Sequence, residues 1–232
     1  MMHTKIAVAG EGGQGVQSIG EILAEAANKS GLETTYMPNF GVEQRGGVSI
    51  AFVQISDRPI GAPKFKRADV LVVLSPRSVE RTSGYVIPGT TVIYDSSSIE
   101  APKIDDMAVG IQSWETLAPE GFADMVGNRP GEGIETAEIE SGRQVRVIGI
   151  PAARIAKEEL QPRVFNILIL GAILAITKVV TPEAAKEAME HMFVEKFKQR
   201  PELRDNNFAA LERGLALVEA NQAVAGGGRK SI

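Results

Sequence analysis

The chain contains no cysteine in 232 residues. Disulfides, thiolate nucleophiles, cysteine-ligated zinc and iron–sulfur clusters are therefore excluded from this polypeptide, and the composition agrees with a cytoplasmic protein. Histidine occurs only twice, at His3 and His191. The first is terminal, and the second reads as a solvated or core-edge helical residue, not a base. Charge of one sign is also lacking. The 25 basic and 29 acidic residues leave a net charge of −4, so no overall field favours nucleic acid or an anionic membrane. The opening Met1-Met2-His3-Thr4-Lys5 runs straight into strand-like sequence and predicts no secretory signal. The most apolar run, residues 167–176, is too short to cross a bilayer and is flanked by Asn166 and Lys178. It predicts a buried helix over about 165–179, covered partly by the sheet and partly by another subunit.

Glycine, by contrast, is plentiful, with 24 residues. Gly10-Glu11-Gly12-Gly13-Gln14-Gly15 follows the apolar run Lys5-Ile6-Ala7-Val8-Ala9 and precedes a segment in which Ile19, Ile22, Leu23, Ala26 and Ala27 repeat with helical spacing. Strand, glycine turn and helix in that order place the turn at the carboxyl edge of a parallel sheet. There the first N–H groups of the helix point at whatever sits over the loop. The glycines admit two readings, a tight turn that only allows close packing, or contact with a ligand or partner.

The chain predicts an α/β fold, a doubly wound, mostly parallel sheet with helices on both faces (Rossmann-like). Residues 1–222 read as one domain, and at this length it buries roughly 70% or more of its unfolded surface. Strands are expected at 34–37, ending at Pro38, and at 48–55, 70–74, 91–94 and 145–150. Ser75-Pro76 reads as a strand stop. A second unusual loop, Pro38-Asn39-Phe40-Gly41-Val42-Glu43-Gln44-Arg45-Gly46-Gly47, should share the rim of the first. Residues 100–144, broken by Gly127, Pro130, Gly131, Gly133 and Gly142, read mostly as an irregular excursion, and Asp105-Asp106 within them as a solvated acidic pair. Pro151 belongs to the first turn of a helix. Thr181-Pro182 starts another, with Ala185, Ala188, Met189, Met192 and Phe193 on its apolar side. A last helix over 206–222 buries Phe208, Leu211, Leu215 and Val218, and 223–232 form a flexible tail.

Gly10, Gly12 and Gly15 formally satisfy G-x-G-x-x-G, but the dinucleotide fingerprint also requires an acid at the end of the second strand. Met37-Pro38-Asn39 stands there, Glu33 lies at the strand's other end, and Glu11 would repel a pyrophosphate. No Walker lysine follows the loop. Ser75 and Ser96 to Ser98 end strands near the glycine edge without a base evidently placed to activate them. Arg45 is the best charged candidate, gripping phosphate or carboxylate, or else pairing with Glu43.

Gly12-Gly13-Gln14-Gly15-Val16, the loop from Gly41 to Gly47, Val53-Gln54-Ile55-Ser56-Asp57-Arg58-Pro59-Ile60 followed by Asp69-Val70-Leu71, then Gly149-Ile150-Pro151 and the Asn166 helix with Gly171-Ala172 together resemble the gamma subunit of 2-oxoacid:ferredoxin oxidoreductases. The Gly46-Gly47-Val48-Ser49 continuation is closer to the 2-oxoglutarate type than to the pyruvate type. The resemblance implies a doubly wound, non-catalytic subunit that packs on an alpha subunit and helps cover the coenzyme A site. Thiamine diphosphate would lie between alpha and beta parts, and the iron–sulfur clusters would belong to other parts, including a ferredoxin-like subunit. The assembly would convert a 2-oxoacid, coenzyme A and oxidised ferredoxin to acyl-CoA, carbon dioxide and reduced ferredoxin. On that reading Gly12, Gly13, Gln14, Gly15, Asn39, Glu43, Arg45, Gly46 and Gly47 form the edge facing coenzyme A and the alpha subunit. No cofactor or metal is expected on the chain alone, and in isolation it is expected to be inactive and to form a homodimer in place of its lost partners. Two other readings remain at this point, a self-contained NAD-binding dehydrogenase and a small-ligand regulatory module.

Overall fold

Two apolar sets alternate along the first strand, β1 (His3–Glu11). Ile6 and Val8 face one side of the sheet, Ala7 and Ala9 the other, and all four are fully buried. A strand buried on both faces belongs at the centre of a sheet. The computed structural model describes residues 2–40, 47–99, 102–104, 114–116, 135–138 and 145–227. Glu43, Arg45, Gly46, the Asp105-Asp106 pair, Gly127, Gly131, Gly133, Gly142 and the last residues of the tail lie outside the described residues.

The main sheet also contains β2 (Glu33–Asn39), β3 (Val48–Ser56), β4 (Val70–Val73) and β5 (Thr91–Asp95). Farther along, β6 (Pro102–Ile104) and β7 (Trp114–Thr116) form a separate antiparallel pair. Next come β8 (Glu135–Glu138) and β9 (Arg146–Ile150), and the seven-stranded order is β2-β3-β1-β4-β5-β9-β8. β1, β4, β5 and β9 run parallel, whereas β3 is antiparallel to both β1 and β2, and β8 is antiparallel to β9. β2 therefore points the same way as β1, with β3 inserted between them. Pro38 lies inside β2 instead of ending it, which an edge strand tolerates because the missing N–H can face outward. The stretch read as an excursion thus returns one strand, β8, to the sheet edge.

Helices cover both faces, unequally. α1 (Val16–Lys29) packs on the face of Ile6 and Val8 through Ile19, Ile22, Leu23, Ala26 and Ala27. α3 (Ala152–Glu159), α4 (Phe165–Thr177), α5 (Pro182–Met192), α6 (Val194–Gln199) and α7 (Pro201–Gly227) join the same core. On the other face, among the described residues, α2 (Pro76–Thr82) contributes Val79, beside Val86, Phe65 and Tyr85. α2 begins where the sequence reads as a mere stop. Ser75 Oγ accepts the Ser78 N–H at 3.3 Å, and Pro76 takes the first helical position. Thr181 caps α5 as expected, accepting the Ala184 N–H at 3.2 Å.

α4 is buried from Ile167 to Ala175, and its cover comes from this chain, not from another subunit. A Cβ on Gly171 would meet the Leu211 carbonyl oxygen and lie 3.1 Å from Gly214 Cα. A Cβ on Gly214 would meet the Leu168 carbonyl oxygen and lie 3.1 Å from Ala172 N. The two backbones touch, and α7 closes over α4. α7 starts earlier than expected and extends to Gly227, into the segment read as a tail. Arg213 on α7 forks onto Glu159 of α3, Nε to Oε2 at 2.7 Å and Nη2 to Oε1 at 3.0 Å.

Two predictions follow from these contacts. Because backbone cannot step aside for a methyl group, Gly214→Ala should destabilise the fold by about 2–3 kcal/mol in urea unfolding. A variant as stable as the parent would refute the close crossing. The Arg213 hydrogen bond holds the Glu159 carboxyl below its ordinary value, so this pair adds stability above the unfolded carboxyl's pKa and loses it as pH falls through the lowered folded value. Arg213→Met should therefore cost about 1 kcal/mol or less at pH 7, as an exposed pair does, and the difference from the parent should vanish in acid. A difference that grew in acid would contradict the pairing.

Candidate functional site

β1 ends at Glu11, and the chain turns through Gly12-Gly13-Gln14-Gly15 into α1. Gln14 holds this turn. Its Nε2 donates to the Leu74 carbonyl at 2.7 Å, just past β4, and its Oε1 accepts the Glu11 N–H at 2.6 Å. Its main-chain N–H donates to the Glu11 carbonyl at 3.2 Å. The Gln14 amide thus fastens the loop to the neighbouring strand.

The glycines divide by task. A Cβ on Gly10 would come within 2.6 Å of Gln14 Oε1 and 2.9 Å of Val16 Cγ2, so Gly10 lets the loop fold against its own helix. Gly15 caps α1 at φ 71°, ψ 22°, where L side chains are strained, and a Cβ there would collide with the Asn166 amide. Gly12 and Gly13 are exposed, with nothing within 4 Å of the position a Cβ would take. The packing reading holds for Gly10 and Gly15, whereas Gly12 and Gly13 present bare backbone that packing does not require. α1 has no side-chain cap and no acid in its first turn, which leaves its N-terminal dipole uncompensated beside Gly12 and Gly13.

The second loop comes to the same rim. Glu11 pairs with Val48, Gly10 with Ser49, and Asn39 with Ile50, so Asn39 and Gly47 stand as the feet of the loop near the glycine turn. Glu43, Arg45 and Gly46 belong to the part outside the described residues. Phe40, next to Asn39, is 68% exposed, the most exposed large apolar side chain among the described residues. Sequence reasoning passed over Phe40, and it quoted Asn166 only as part of a motif. Asn166, half-buried at the start of α4, rests on Gly15, and its side-chain amide makes no hydrogen bond among the described residues. Its signal was a lone amide heading an otherwise apolar helix.

Glu11, which the sequence reads as repelling an anion at the turn, closes β1 directly before Gly12. Strand alternation puts it on the face of Ala7 and Ala9, whereas α1 packs on the face of Ile6 and Val8. Tyr36 Oη donates to Gln17 Oε1 at 2.8 Å, joining β2 to the first turn of α1. Burial first, and then the Glu21 carboxylate, push this phenol up to about 12, so it stays neutral.

The rim serines have structural work. Ser75 caps α2, Ser98 Oγ donates to Asp95 at 2.8 Å, and Ser97 Oγ accepts the Arg154 N–H at 3.1 Å. Buried Asp95 also accepts the Ala153 N–H at 3.3 Å, tying β5 to α3. His191 pairs with Glu25 at 2.9 Å, in the half of α1 away from the glycine turn, and His3 opens β1 on the opposite rim. Among the described residues no three His, Asp or Glu side chains gather to hold a metal, and no helix is long and apolar enough to cross a membrane. The rim assembles no acid–base pair among its described side chains.

A family model described as pyruvate ferredoxin/flavodoxin oxidoreductase matches residues 5–217. This chain belongs to that family. It is 31% identical over 220 residues to ketoisovalerate oxidoreductase subunit VorA of Methanothermobacter thermautotrophicus. That match covers 94% of this chain but 37% of the relative, so the chain spans little more than a third of that protein. It is 29% identical over 223 residues to 2-oxoglutarate synthase subunit KorC of Methanocaldococcus jannaschii, covering 94% of this chain and 95% of the relative. Among solved structures, the gamma subunit of a keto/oxoacid ferredoxin oxidoreductase from Geobacter sulfurreducens matches with a TM-score of 0.62 at 25% identity, over 94% of this chain and 99% of that one. The 2-oxoglutarate:ferredoxin oxidoreductase from Magnetococcus marinus, solved with 2-oxoglutarate, coenzyme A and succinyl-CoA bound, has a TM-score of 0.71 at 24% identity over 95% of this chain and 32% of that one. The α/β fold is common to this chain and these two solved structures.

The Gln14 clasp yields a test within this chain. Gln14→Ala leaves the Glu11 N–H and the Leu74 carbonyl without their partner, and should destabilise the fold by about 1–2 kcal/mol. The Glu11 amide should also exchange with solvent faster. Unaltered exchange at Glu11 would mean that the loop holds itself without the clasp.

Proposed function

We propose that this chain is a non-catalytic gamma subunit of a thiamine diphosphate-dependent 2-oxoacid:ferredoxin oxidoreductase, packing on the alpha subunit and helping to cover the coenzyme A site. One observation carries this reading. Bare backbone at Gly12-Gly13 lies over the uncompensated N-terminus of α1, on the rim where the second loop also begins and ends. Such a terminus attracts phosphate, and coenzyme A is a phosphate-rich substrate. Gln14 and Gly15 hold the turn in shape, Asn39 and Gly47 anchor the second loop, and Glu43, Arg45 and Gly46 supply its contacts to coenzyme A and alpha. Arg45 would grip a phosphate, and exposed Phe40 would seat in the alpha subunit as an apolar anchor.

The residues of this chain do not fit an iron–sulfur cluster, because it has no cysteine. Electron transfer and 2-oxoacid chemistry would fall to the alpha, beta and ferredoxin-like subunits, in the cytoplasm, with ferredoxin as acceptor. 2-Oxoglutarate is one candidate substrate, supported by the KorC match in which chain and relative cover each other almost whole, beside pyruvate, supported by a PorC match of similar mutual cover.

The test uses the reconstituted complex. Gly12→Asp places a carboxylate in open space, so it should fold normally while raising the KM for coenzyme A tenfold or more and leaving the KM for the 2-oxoacid unchanged. An unchanged coenzyme A KM would remove the glycine turn from that site. Arg45→Ala should raise the coenzyme A requirement or weaken assembly, and Phe40→Ala should weaken copurification of alpha. The purified chain alone should neither bind thiamine diphosphate nor oxidise a 2-oxoacid, and turnover by it would overturn the proposal.

A further inference from the structure

The rim opposite the glycine turn carries a second feature, independent of the reading above. His3 and Lys5 open β1, and Gln54 lies near the end of β3, which runs the other way. Between them and the segment joining β3 to β4 is an open cavity of about 310 Å³. Four cations line it, Lys5, Lys64, Lys66 and Arg67, and none of them forms an ion pair with a carboxylate among the described residues. The chain as a whole carries a net charge of −4, so the grouping of four cations here runs against its overall balance.

The cavity wall is built, not incidental. Gln54 is 2% exposed. Its Nε2 donates to the Ala62 carbonyl at 2.6 Å and to Thr35 Oγ1 at 3.3 Å, and its Oε1 lies 3.0 Å from His3 Nε2. Phe65, another lining residue, packs edge-on against Phe52 with ring centroids 5.3 Å apart. At the base, the Lys5 N–H donates to Asp69 Oδ2 at 2.8 Å, and the Asp69 N–H donates to the Lys5 carbonyl at 2.9 Å. Asp69 and Asp57 are the nearest acids in the sequence of this segment. One is tied to the Lys5 backbone and the other to the Met2 N–H and Arg58, and neither lines the cavity. The frame around Gln54 thus leaves Lys5, Lys64, Lys66 and Arg67 around one concavity that no carboxylate lines.

We infer that this cavity binds a small polyanion of the oligophosphate class, its three or four negative charges answering Lys5, Lys64, Lys66 and Arg67, with Phe65 and Ile60 supplying an apolar surface beside it. The concavity favours a compact ligand over a flat macromolecular surface, and its volume lies at the lower end for small-molecule sites. Arg67 offers a planar fork to a phosphate and the lysines offer point charges. A bound oligophosphate would sit on the rim away from the proposed coenzyme A edge, so the two sites can be separated by mutation.

The full chain would be titrated with inorganic triphosphate at 150 mM salt by calorimetry, with thermal unfolding as a second readout. One triphosphate per chain should bind saturably and raise the Tm. A Lys64→Gln/Lys66→Gln/Arg67→Gln variant, altered only at exposed positions, should lose at least tenfold in affinity. A control that removes the same charge elsewhere, Lys157→Gln/Lys196→Gln/Arg200→Gln, should bind as the parent does. Absence of saturable binding, equal losses in both variants, or more than one triphosphate per chain in the Gly12→Asp background, where the glycine turn is blocked, would each overturn the inference. So would binding only to a large acidic protein, with no response to triphosphate. Gly12→Asp should leave triphosphate binding intact, which separates failure here from failure of the coenzyme A reading.

Discussion

β1 and β3 pair antiparallel over nine residues each, from His3 opposite Ser56 to Glu11 opposite Val48, and both candidate sites depend on that ladder. At its upper end it sets Asn39 and Gly47, the residues flanking the second loop, near the glycine turn. At its lower end it places Gln54 where its amide can reach His3 and the loop carbonyl of Ala62. Register in a sheet buried on both faces is strongly specified, since a one-residue slip would carry Ile6 and Val8 to the wrong core and leave Ala7 and Ala9 in their place. The geometry of the two rims is therefore set by the packing of the centre, not by interactions at the rims themselves.

The same packing explains why the glycine turn can be open and yet ordered. Gln14 reaches across to Leu74, whose N–H in turn donates to the Ala9 carbonyl at 2.9 Å. The loop is thus stitched into the β1–β4 pair at two successive points. Gly15 lies against Asn166, so the entry to α1 is set by α4, and α4 is itself held by backbone contact with α7 at Gly171 and Gly214. Rigidity reaches the rim through main chain and short amides. Bare backbone at Gly12 and Gly13 can then be presented without the loss of binding energy that ordering a floppy loop on contact would bring.

Much of this was legible in the sequence because it rests on local pattern. The apolar strands, the 3.6-residue spacing from Ile19 to Ala27, the Thr181-Pro182 start and the shared rim of the two loops all follow from periodicity and turn chemistry. Several features were not. Ser75-Pro76 signals both the end of a strand and the start of a helix, and only the Ser78 side chain, three residues on, decides for the helix. β8, Glu135-Thr136-Ala137-Glu138, has almost no apolar content, as an edge strand need not. The cover of α4 was assigned to another subunit because an all-apolar helix announces burial but not by what. Glycines at 171 and 214 become a close crossing only when two distant helices meet. The cationic cavity assembles residues 3–5, 54 and 60–67, and no local window contains such a set.

Strand order also bears on why a G-x-G-x-x-G loop need not mean a dinucleotide. In the nucleotide-binding arrangement the second strand lies directly beside the first, and an acid at its tip reaches the ribose of a pyrophosphate seated on the first turn. Here β3 stands between β1 and β2, so the tip of β2 is two strand spacings from β1, about 10 Å instead of about 5 Å. An acid at Met37, Pro38 or Asn39 would be too far away even if the sequence had one. The inserted strand puts Asn39 and Gly47, the two feet of a loop, on that part of the rim instead. On the reading proposed above, the glycine turn would attract phosphate through α1, and recognition of whatever carries the phosphate would pass to the connection between β2 and β3. Such a connection can extend beyond the rim and meet a second polypeptide, which a strand tip cannot do.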